Sequence, residues 1–211
     1  MSSTVLLTGA SGRIGAKVQR RLLEKGYIVR ALVHRRRPQG EERRGLEVVQ
    51  GDILDQASLA AAVKGCEHVV HLAAAWDMFP PAVFEKQNDQ LFDSVIRGTY
   101  NLLEACRVQS PLPAFVYAST DAVYATGPRR FDAPITEDTP LQPSRFYALA
   151  KIAGETLCHQ YGKLYGLPWL IVRICWALDP EELLRVYSYE FWRDGMSAAD
   201  RTRLEGKLGG G

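Results

Sequence analysis

The feature that most constrains the fold is an alternation: short apolar runs rich in Val, Ile and Leu take turns with longer amphipathic segments along most of the chain. It begins with a strand-like run from Thr4 to Thr8, a helix-like stretch from Gly12 to about Lys25, and a second strand from Tyr27 to Val33. Strands are expected again at Leu46 to Gln50, His68 to Leu72, Ala114 to Ser119 and Trp169 to Ile174. Helices are expected near Gln56 to Val63, Leu91 to Val108 and Ser144 to Tyr165. Runs such as Val5-Leu6-Leu7 and Val69-Val70 are apolar at consecutive positions, which suits strands covered on both faces. The alternation therefore predicts an α/β fold: a doubly wound parallel sheet with helices on both sides and right-handed crossovers.

The 211 residues suffice for one such domain with a buried core and a small appendage. The division expected is a main domain over residues 1–180 and a partial helical segment over 181–211. With 46% hydrophobic and 24% charged residues the chain reads as a packed globular protein. Its net charge of +2 gives no broad basic surface, so nucleic acid is not an expected partner. The basic run Arg35-Arg36-Arg37 with Arg43 and Arg44 is broken by Glu41 and Glu42 and reads as a solvated loop. Cys66, Cys106, Cys158 and Cys175 lack paired spacing and the N-terminus opens on a strand-like run, so a cytoplasmic location is expected. No apolar stretch approaches the roughly 18 to 20 residues that span a bilayer, and no membrane association is expected.

The chemistry begins at Thr8-Gly9-Ala10-Ser11-Gly12-Arg13-Ile14-Gly15, which follows a strand and opens a helix. Glycines in that context let the backbone turn tightly and approach a pyrophosphate seated on the helix's N–H groups. Gly9, Ser11, Gly12, Arg13, Ile14 and Gly15 are therefore candidate dinucleotide contacts, and the architecture is the Rossmann fold. At the end of the second strand, where a carboxylate would pair with the ribose hydroxyls of NAD, the chain reads Val33-His34-Arg35-Arg36-Arg37. A guanidinium suits a 2′-phosphate. This favours NADP over NAD, with Arg35 as the main contact, His34 beside it and Arg13 as helper. Asp52 of Gly51-Asp52-Ile53 can accept from the adenine amino group while Ile53 packs on the ring; the alternative for Asp52 is a helix N-cap. In His71-Leu72-Ala73-Ala74 the small residues after the fourth strand let a cofactor pass close to Leu72, Ala73 and Ala74.

Tyr147 and Lys151 lie four apart on an expected helix, on one face about one turn from each other. A phenol with a pKa of about 10 needs nearby positive charge to act as a base. Lys151 and an oxidised nicotinamide would supply it. A segment from Gly127 to Pro143 with four prolines reads as a long structured loop, a type that is usually functional.

Taken in order, the glycine loop, Gly51-Asp52-Ile53, His71-Leu72-Ala73-Ala74, Arg97-Gly98-Thr99-Tyr100-Asn101-Leu102-Leu103-Glu104, Val116-Tyr117-Ala118-Ser119-Thr120-Asp121-Ala122-Val123-Tyr124, and Tyr147 with Lys151 resemble the extended short-chain dehydrogenase/reductase superfamily, in its NAD(P)-dependent epimerase/dehydratase branch. The resemblance runs from about Thr4 to Pro180. It implies that Tyr147 exchanges a proton with a substrate hydroxyl while hydride passes to or from the nicotinamide, that Lys151 holds the nicotinamide ribose and lowers the tyrosine pKa, and that Thr120 hydrogen-bonds the substrate oxygen. Ala118 and Ser119 would line the nicotinamide side. It also implies a homodimer through the long helices.

Three departures stand out. Val95 occupies a position where the family usually has Asn, which takes away a polar contact behind the site. Arg173-Ile174-Cys175-Trp176-Ala177-Leu178-Asp179-Pro180 replaces a motif ending Tyr-Gly-Pro. Beyond Pro180 the chain has helical patterns at Glu181 to Tyr189 and Ala198 to Lys207, short of the family's substrate lobe of on the order of a hundred residues, so an incomplete C-terminal substrate lobe is expected. No metal is expected: His68 and His71 fall on opposite faces of a strand, and the adjacent Cys158 and His159 diverge on a helix. Trp76, Phe79, Phe84, Phe92 and Trp192 read as core or cleft lining. The function expected is an NAD(P)-dependent oxidoreductase, epimerase or dehydratase acting on a sugar or nucleotide-sugar hydroxyl. The alternatives are an NADP-dependent reductase of a non-sugar carbonyl and a non-catalytic dinucleotide-binding sensor or scaffold.

Overall fold

A computed structural model describes residues 2–35, 43–74, 88–124, 134–175, 177–186, 188 and 202. Six strands form one sheet: β1 (Thr4–Thr8), β2 (Ile28–Val33), β3 (Leu46–Gln50), β4 (His68–His71), β5 (Ala114–Thr120) and β6 (Trp169–Ile174). All neighbours are parallel, in the order β3-β2-β1-β4-β5-β6. The order reverses direction between β1 and β4, and in open α/β sheets ligands bind outside the carboxyl ends of the strands at such a reversal. Thr8 pairs there with His71, so the glycine loop after β1 and the small residues after β4 leave the sheet side by side.

The helices are α1 (Arg13–Glu24), α2 (Gln56–Val63), α3 (Asn88–Leu91), α4 (Gly98–Arg107), α5 (Phe146–Tyr165) and α6 (Pro180–Val186). A six-residue π-helical stretch, Phe92–Arg97, joins α3 to α4, and a 3₁₀ turn, Asp121–Tyr124, follows β5. One core cluster packs Leu6, Phe115 and Tyr117 of the strands against Leu59, Leu102, Leu103, Cys158 and Tyr161 of the helices. A second gathers Leu7, Ala10, Val29 and Ala31 with Val18 and Leu22. Helix α5 ends at Gly166, whose φ of 70° is the left-handed closure that glycine takes without strain.

The chain divides into two compact units, Met1–Ala75 with Asp89–Cys175, and Trp76–Asn88 with Trp176–Gly211. The first holds the sheet. In the second, α6 starts with a reciprocal cap: Glu182 N–H donates to Asp179 Oδ1 and Asp179 N–H donates to Glu182 Oε2, both at 2.9 Å. The expected pattern from Ala198 to Lys207, part of the loop from Gly127 to Pro143, the side chains of Arg36 and Arg37, and Trp76, Phe79, Phe84 and Trp192 lie outside the described residues. No helix among the described residues is long and apolar enough to cross a membrane.

Candidate active site

Close backbone packing builds one end of the site. Gly9 has a φ of 71°, and a Cβ there would lie 2.9 Å from both the Leu72 carbonyl carbon and the Ala73 nitrogen. A Cβ on Gly15 would lie 1.9 Å from the Gly9 oxygen. Gly12 N–H donates to that same oxygen at 3.0 Å. Gly12 is the N-cap of α1, makes no side-chain cap bond, and is followed by no acidic residue in the first turn. The positive end of the helix is thus presented through a loop that only glycines can form, with Ser11, Arg13 and Ile14 partly buried around it. This cradle fits a pyrophosphate.

At the end of β4 a buried histidine ties the cradle to the helices behind it. Thr99 Oγ1 donates to the Val95 carbonyl and so accepts from His71 Nε2 at 3.1 Å. Nδ1 of the neutral ring then accepts from Thr8 Oγ1 at 2.7 Å, and Thr8 Oγ1 accepts from Ala73 N–H at 3.2 Å. Burial and the nearby Lys151 charge drive the His71 pKa down to about 3. His71 is a hydrogen-bonded core residue. Where the Val95 side chain takes away a polar contact, the main-chain carbonyl of the same residue provides one.

The ends of β2 and β3 bring His34 and Asp52 together, with Nε2 3.4 Å from Oδ2. Gln50 Nε2 donates to the His34 carbonyl at 2.6 Å. Asp52 is not the N-cap of α2: that position is Asp55, whose carboxylate accepts from Ala57 and Ser58 N–H. Asp52 Oδ1 instead accepts from Leu54 N–H at 2.9 Å. Ile53 leans inward on Gly98, where an added Cβ would meet Ile53 Cδ1 at 2.8 Å. His34 and Arg35 are exposed.

The candidate catalytic residues lie where β5 meets α5. Arg145 is extended and α5 begins at Phe146, so Tyr147 sits in its first turn and Lys151 one turn on. Lys151 is buried and its Nζ donates to the Ala118 carbonyl at 2.7 Å, 6.0 Å from the Tyr147 ring centre and 5.0 Å from that of Tyr117. Tyr147 is hydrogen-bonded to Thr120, whose Oγ1 also accepts from Ala122 N–H. Tyr147 and Lys151 therefore share one face of α5, as their spacing suggested, and Thr120 meets Tyr147 from the end of β5.

The electrostatics differ from expectation in one respect. Burial pushes the Tyr147 phenol up to about 12, opposed by the Thr120 hydrogen bond and reinforced by the Asp121 carboxylate. Lys151 is itself driven down to about 8 by burial, and its ammonium donates to the Ala118 carbonyl.

Ser119, expected along the nicotinamide side, gives its hydroxyl to Glu155 Oε1 at 2.5 Å. Glu155 is buried and paired with Arg173, whose Nε donates to Oε1 at 3.0 Å and whose Nη2 donates to Oε2 at 2.7 Å. Neither residue was singled out from sequence for the site. The signal was present for Glu155: Tyr147, Lys151 and Glu155 recur every four residues, a stripe on one helical face.

Comparison with known proteins gives the family and the fold. Residues 5–182 match the sequence model of the NAD dependent epimerase/dehydratase family. The chain is 36% identical to UDP-glucuronate 4-epimerase 3 of Arabidopsis thaliana over 96% of its own length and 49% of that protein. It is 32% identical to the L-arabinose 1-dehydrogenase (NAD(P)(+)) of Haloferax volcanii, over 85% of this chain and 69% of that one. The UDP-glucuronic acid 4-epimerase of Bacillus cereus in complex with UDP-glucuronic acid and NAD superposes with a TM-score of 0.70 and 29% identity, over 81% of this chain and 55% of that one. The chain thus spans about half the length of the plant epimerase and of the bacterial structure.

Proposed function

The chain belongs to the NAD dependent epimerase/dehydratase family, and we propose that it carries the cofactor-binding and proton-transfer half of an enzyme that oxidises a hydroxyl of a sugar, free or nucleotide-linked. The observation that carries this reading is the convergence of Thr120, Tyr147 and Lys151 beside a glycine-formed cradle. The relatives include a UDP-glucuronate 4-epimerase and an L-arabinose 1-dehydrogenase, so the substrate class is set no more narrowly than a uronic acid, an aldose or their nucleotide conjugates.

The residues divide the work. Gly9, Gly12 and Gly15 admit the pyrophosphate, and Leu72, Ala73 and Ala74 pass beneath it. Lys151 holds the nicotinamide ribose, with Ala118 offering its carbonyl to keep the ammonium in place. When bound, the nicotinamide supplies a hydride acceptor and donor. Thr120 donates to the substrate oxygen and Tyr147 takes its proton, or returns it in the reverse direction. A phenol held high by burial stays protonated at neutral pH, the form needed in the reductive direction; for oxidation Tyr147 depends on positive charge added beside it.

The family is NAD dependent. Within it we propose that this chain also accepts NADP, since His34 and Arg35 stand exposed where a carboxylate would select NAD. We further propose a cytoplasmic enzyme, consistent with four free cysteines. A homodimer through α4 and α5 is supported by the exposed Tyr100, Leu164 and Tyr165, and sedimentation showing only monomer would remove that element.

The test is a turnover assay with NAD and NADP on uronic acids, aldoses and nucleotide sugars, beside simple carbonyls, with Tyr147→Phe as control. Sugar oxidation or epimerisation lost in Tyr147→Phe, with cofactor binding retained, is the expected result. Turnover confined to non-sugar carbonyls would overturn the substrate class.

A further inference from the structure

Behind the catalytic residues lies a buried charged cluster with no assigned task. Glu155 on α5 is 3% exposed, and both of its carboxylate oxygens are engaged. Oε1 accepts from Ser119 Oγ at 2.5 Å and from Arg173 Nε at 3.0 Å, and Oε2 accepts from Arg173 Nη2 at 2.7 Å. Arg173 Nη1 donates to the Tyr124 hydroxyl and, at 3.2 Å, to the Glu137 carbonyl, while the guanidinium carbon stands 5.0 Å from the Tyr124 ring centre. Five pieces of chain meet on one ion pair: the end of β5, the 3₁₀ turn after it, the segment leading to α5, α5 itself and β6.

This is an expensive way to join segments. Two charges taken out of water regain little more than they lose, and apolar side chains of similar volume would hold a core as well or better. What apolar packing lacks is direction. The Glu155–Arg173 pair grips both ends of the Ser119–Tyr124 segment, Ser119 from one side and Tyr124 from the other, and Thr120 lies between them. Gly154, next to Glu155, lets β5 sit close to α5: a Cβ there would be 2.1 Å from the Tyr117 hydroxyl. On the same helix face, Tyr147 stands two turns before Glu155 and is hydrogen-bonded to Thr120.

We propose that Glu155 and Arg173 are positioning residues: their buried ion pair, acting through Ser119 and Tyr124, fixes the segment that carries Thr120 against α5 and so sets the Thr120-to-Tyr147 hydrogen bond. The roles of Thr120 and Tyr147 in this statement rest on the function proposed above, whereas the brace itself is a matter of geometry.

The two are tested apart by reading Tyr147 without substrate. The full chain is labelled with ¹³Cζ-tyrosine, and the Tyr147 resonance is identified by its disappearance in Tyr147→Phe. Thr120→Val gives the shift that follows direct loss of the hydrogen bond. The variant Glu155→Met with Arg173→Met leaves no orphan charge and keeps an apolar filling, so it should fold with a melting temperature near the parent's. The brace predicts that this double variant moves the Tyr147 resonance in the same direction as Thr120→Val and by at least half as much. On an active sugar substrate it predicts kcat lowered about tenfold or more with KM changed less than about twofold, the pattern of a misaligned catalytic group. Ser119→Ala, which keeps the ion pair, carries the same sign at smaller size and decides the matter should the double variant not fold. A folded double variant, or failing that a folded Ser119→Ala, with Tyr147 at its parental position and kcat unchanged would overturn the proposal. A parent chain with no turnover on any sugar would count against the function and leave the resonance test standing.

Discussion

The two ends of the site are built by opposite means. At the carboxyl ends of β1 and β4 the chain strips side chains away, so that the Gly9 to Gly15 turn and Leu72-Ala73 touch through backbone alone. Where β5 meets α5 it does the reverse and buries Lys151, Glu155 and the phenol-bearing Tyr117 in a helix–strand seam. The first end is a matter of shape, intolerant of one added carbon and insensitive to pH. The second is a matter of charge and hydrogen-bond direction. A dinucleotide has the same division, a phosphate middle that any close backbone can hold and a reactive ring that must be met by particular atoms.

Four changes test this contrast. The largest effect belongs to the charged end: Tyr147→Phe removes the proton carrier but no packing, so turnover should fall by about 10³ or more while the cofactor dissociation constant, read by calorimetry, stays within about threefold. A comparable loss of cofactor affinity would mean that Tyr147 belongs to the binding end. Next, Gly15→Ala puts a Cβ 1.9 Å from the Gly9 oxygen, a clash with backbone that no rotamer relieves; about 3 kcal/mol or more of stability and all measurable dinucleotide binding should go, checked by urea unfolding and calorimetry. Stability unchanged from the parent would remove the shape argument.

The third change concerns His71, which links the two ends. Its folded pKa of about 3 lies below the ordinary 6.5, so its contribution is complete above pH 6.5 and is lost as pH falls toward 3, when the unfolded chain takes up a proton that the folded one refuses. From this residue alone about 2 kcal/mol should disappear between pH 7 and pH 5. His71→Gln keeps a donor for Thr99 and an acceptor for Thr8, so urea unfolding should show a flatter pH dependence at the cost of about 1 kcal/mol at pH 7. An unchanged slope would show that another group controls acid stability. The smallest effect is expected at the rim: Arg35→Ala should weaken NADP binding about tenfold and NAD binding less than about twofold, and equal losses would leave Arg35 with no part in cofactor choice.

The contrast also explains what could be read before the structure. All six strands and the helix at Gln56–Val63 follow the expected boundaries within a residue or so, because apolar runs bounded by glycine and polar turns dictate them locally. The tight turn of the glycine loop was legible for the same reason: its shape depends on absent side chains, and an absence at fixed spacing is visible in one dimension. The π-helical stretch Phe92–Arg97 was not, since a helix and a helix with one widened turn carry the same apolar periodicity. The bond from the Ser119 hydroxyl to Glu155 was not legible, because the partner stands 36 residues away in sequence and no local pattern reports such a pairing. The cap of α2 expected as the alternative for Asp52 falls to Asp55 because the helix starts at Gln56, which leaves Asp52 to Leu54 and His34.

The central claim is that one dinucleotide spans both ends, its phosphates on the glycine turn and its nicotinamide beside Tyr147 and Lys151. A crystal structure of this chain with NAD tests it most directly. The account predicts pyrophosphate oxygens on the N–H groups that open α1 and a ribose hydroxyl within hydrogen-bond reach of Lys151 Nζ; a cofactor seated on the glycine turn with its nicotinamide directed away from α5 would contradict it.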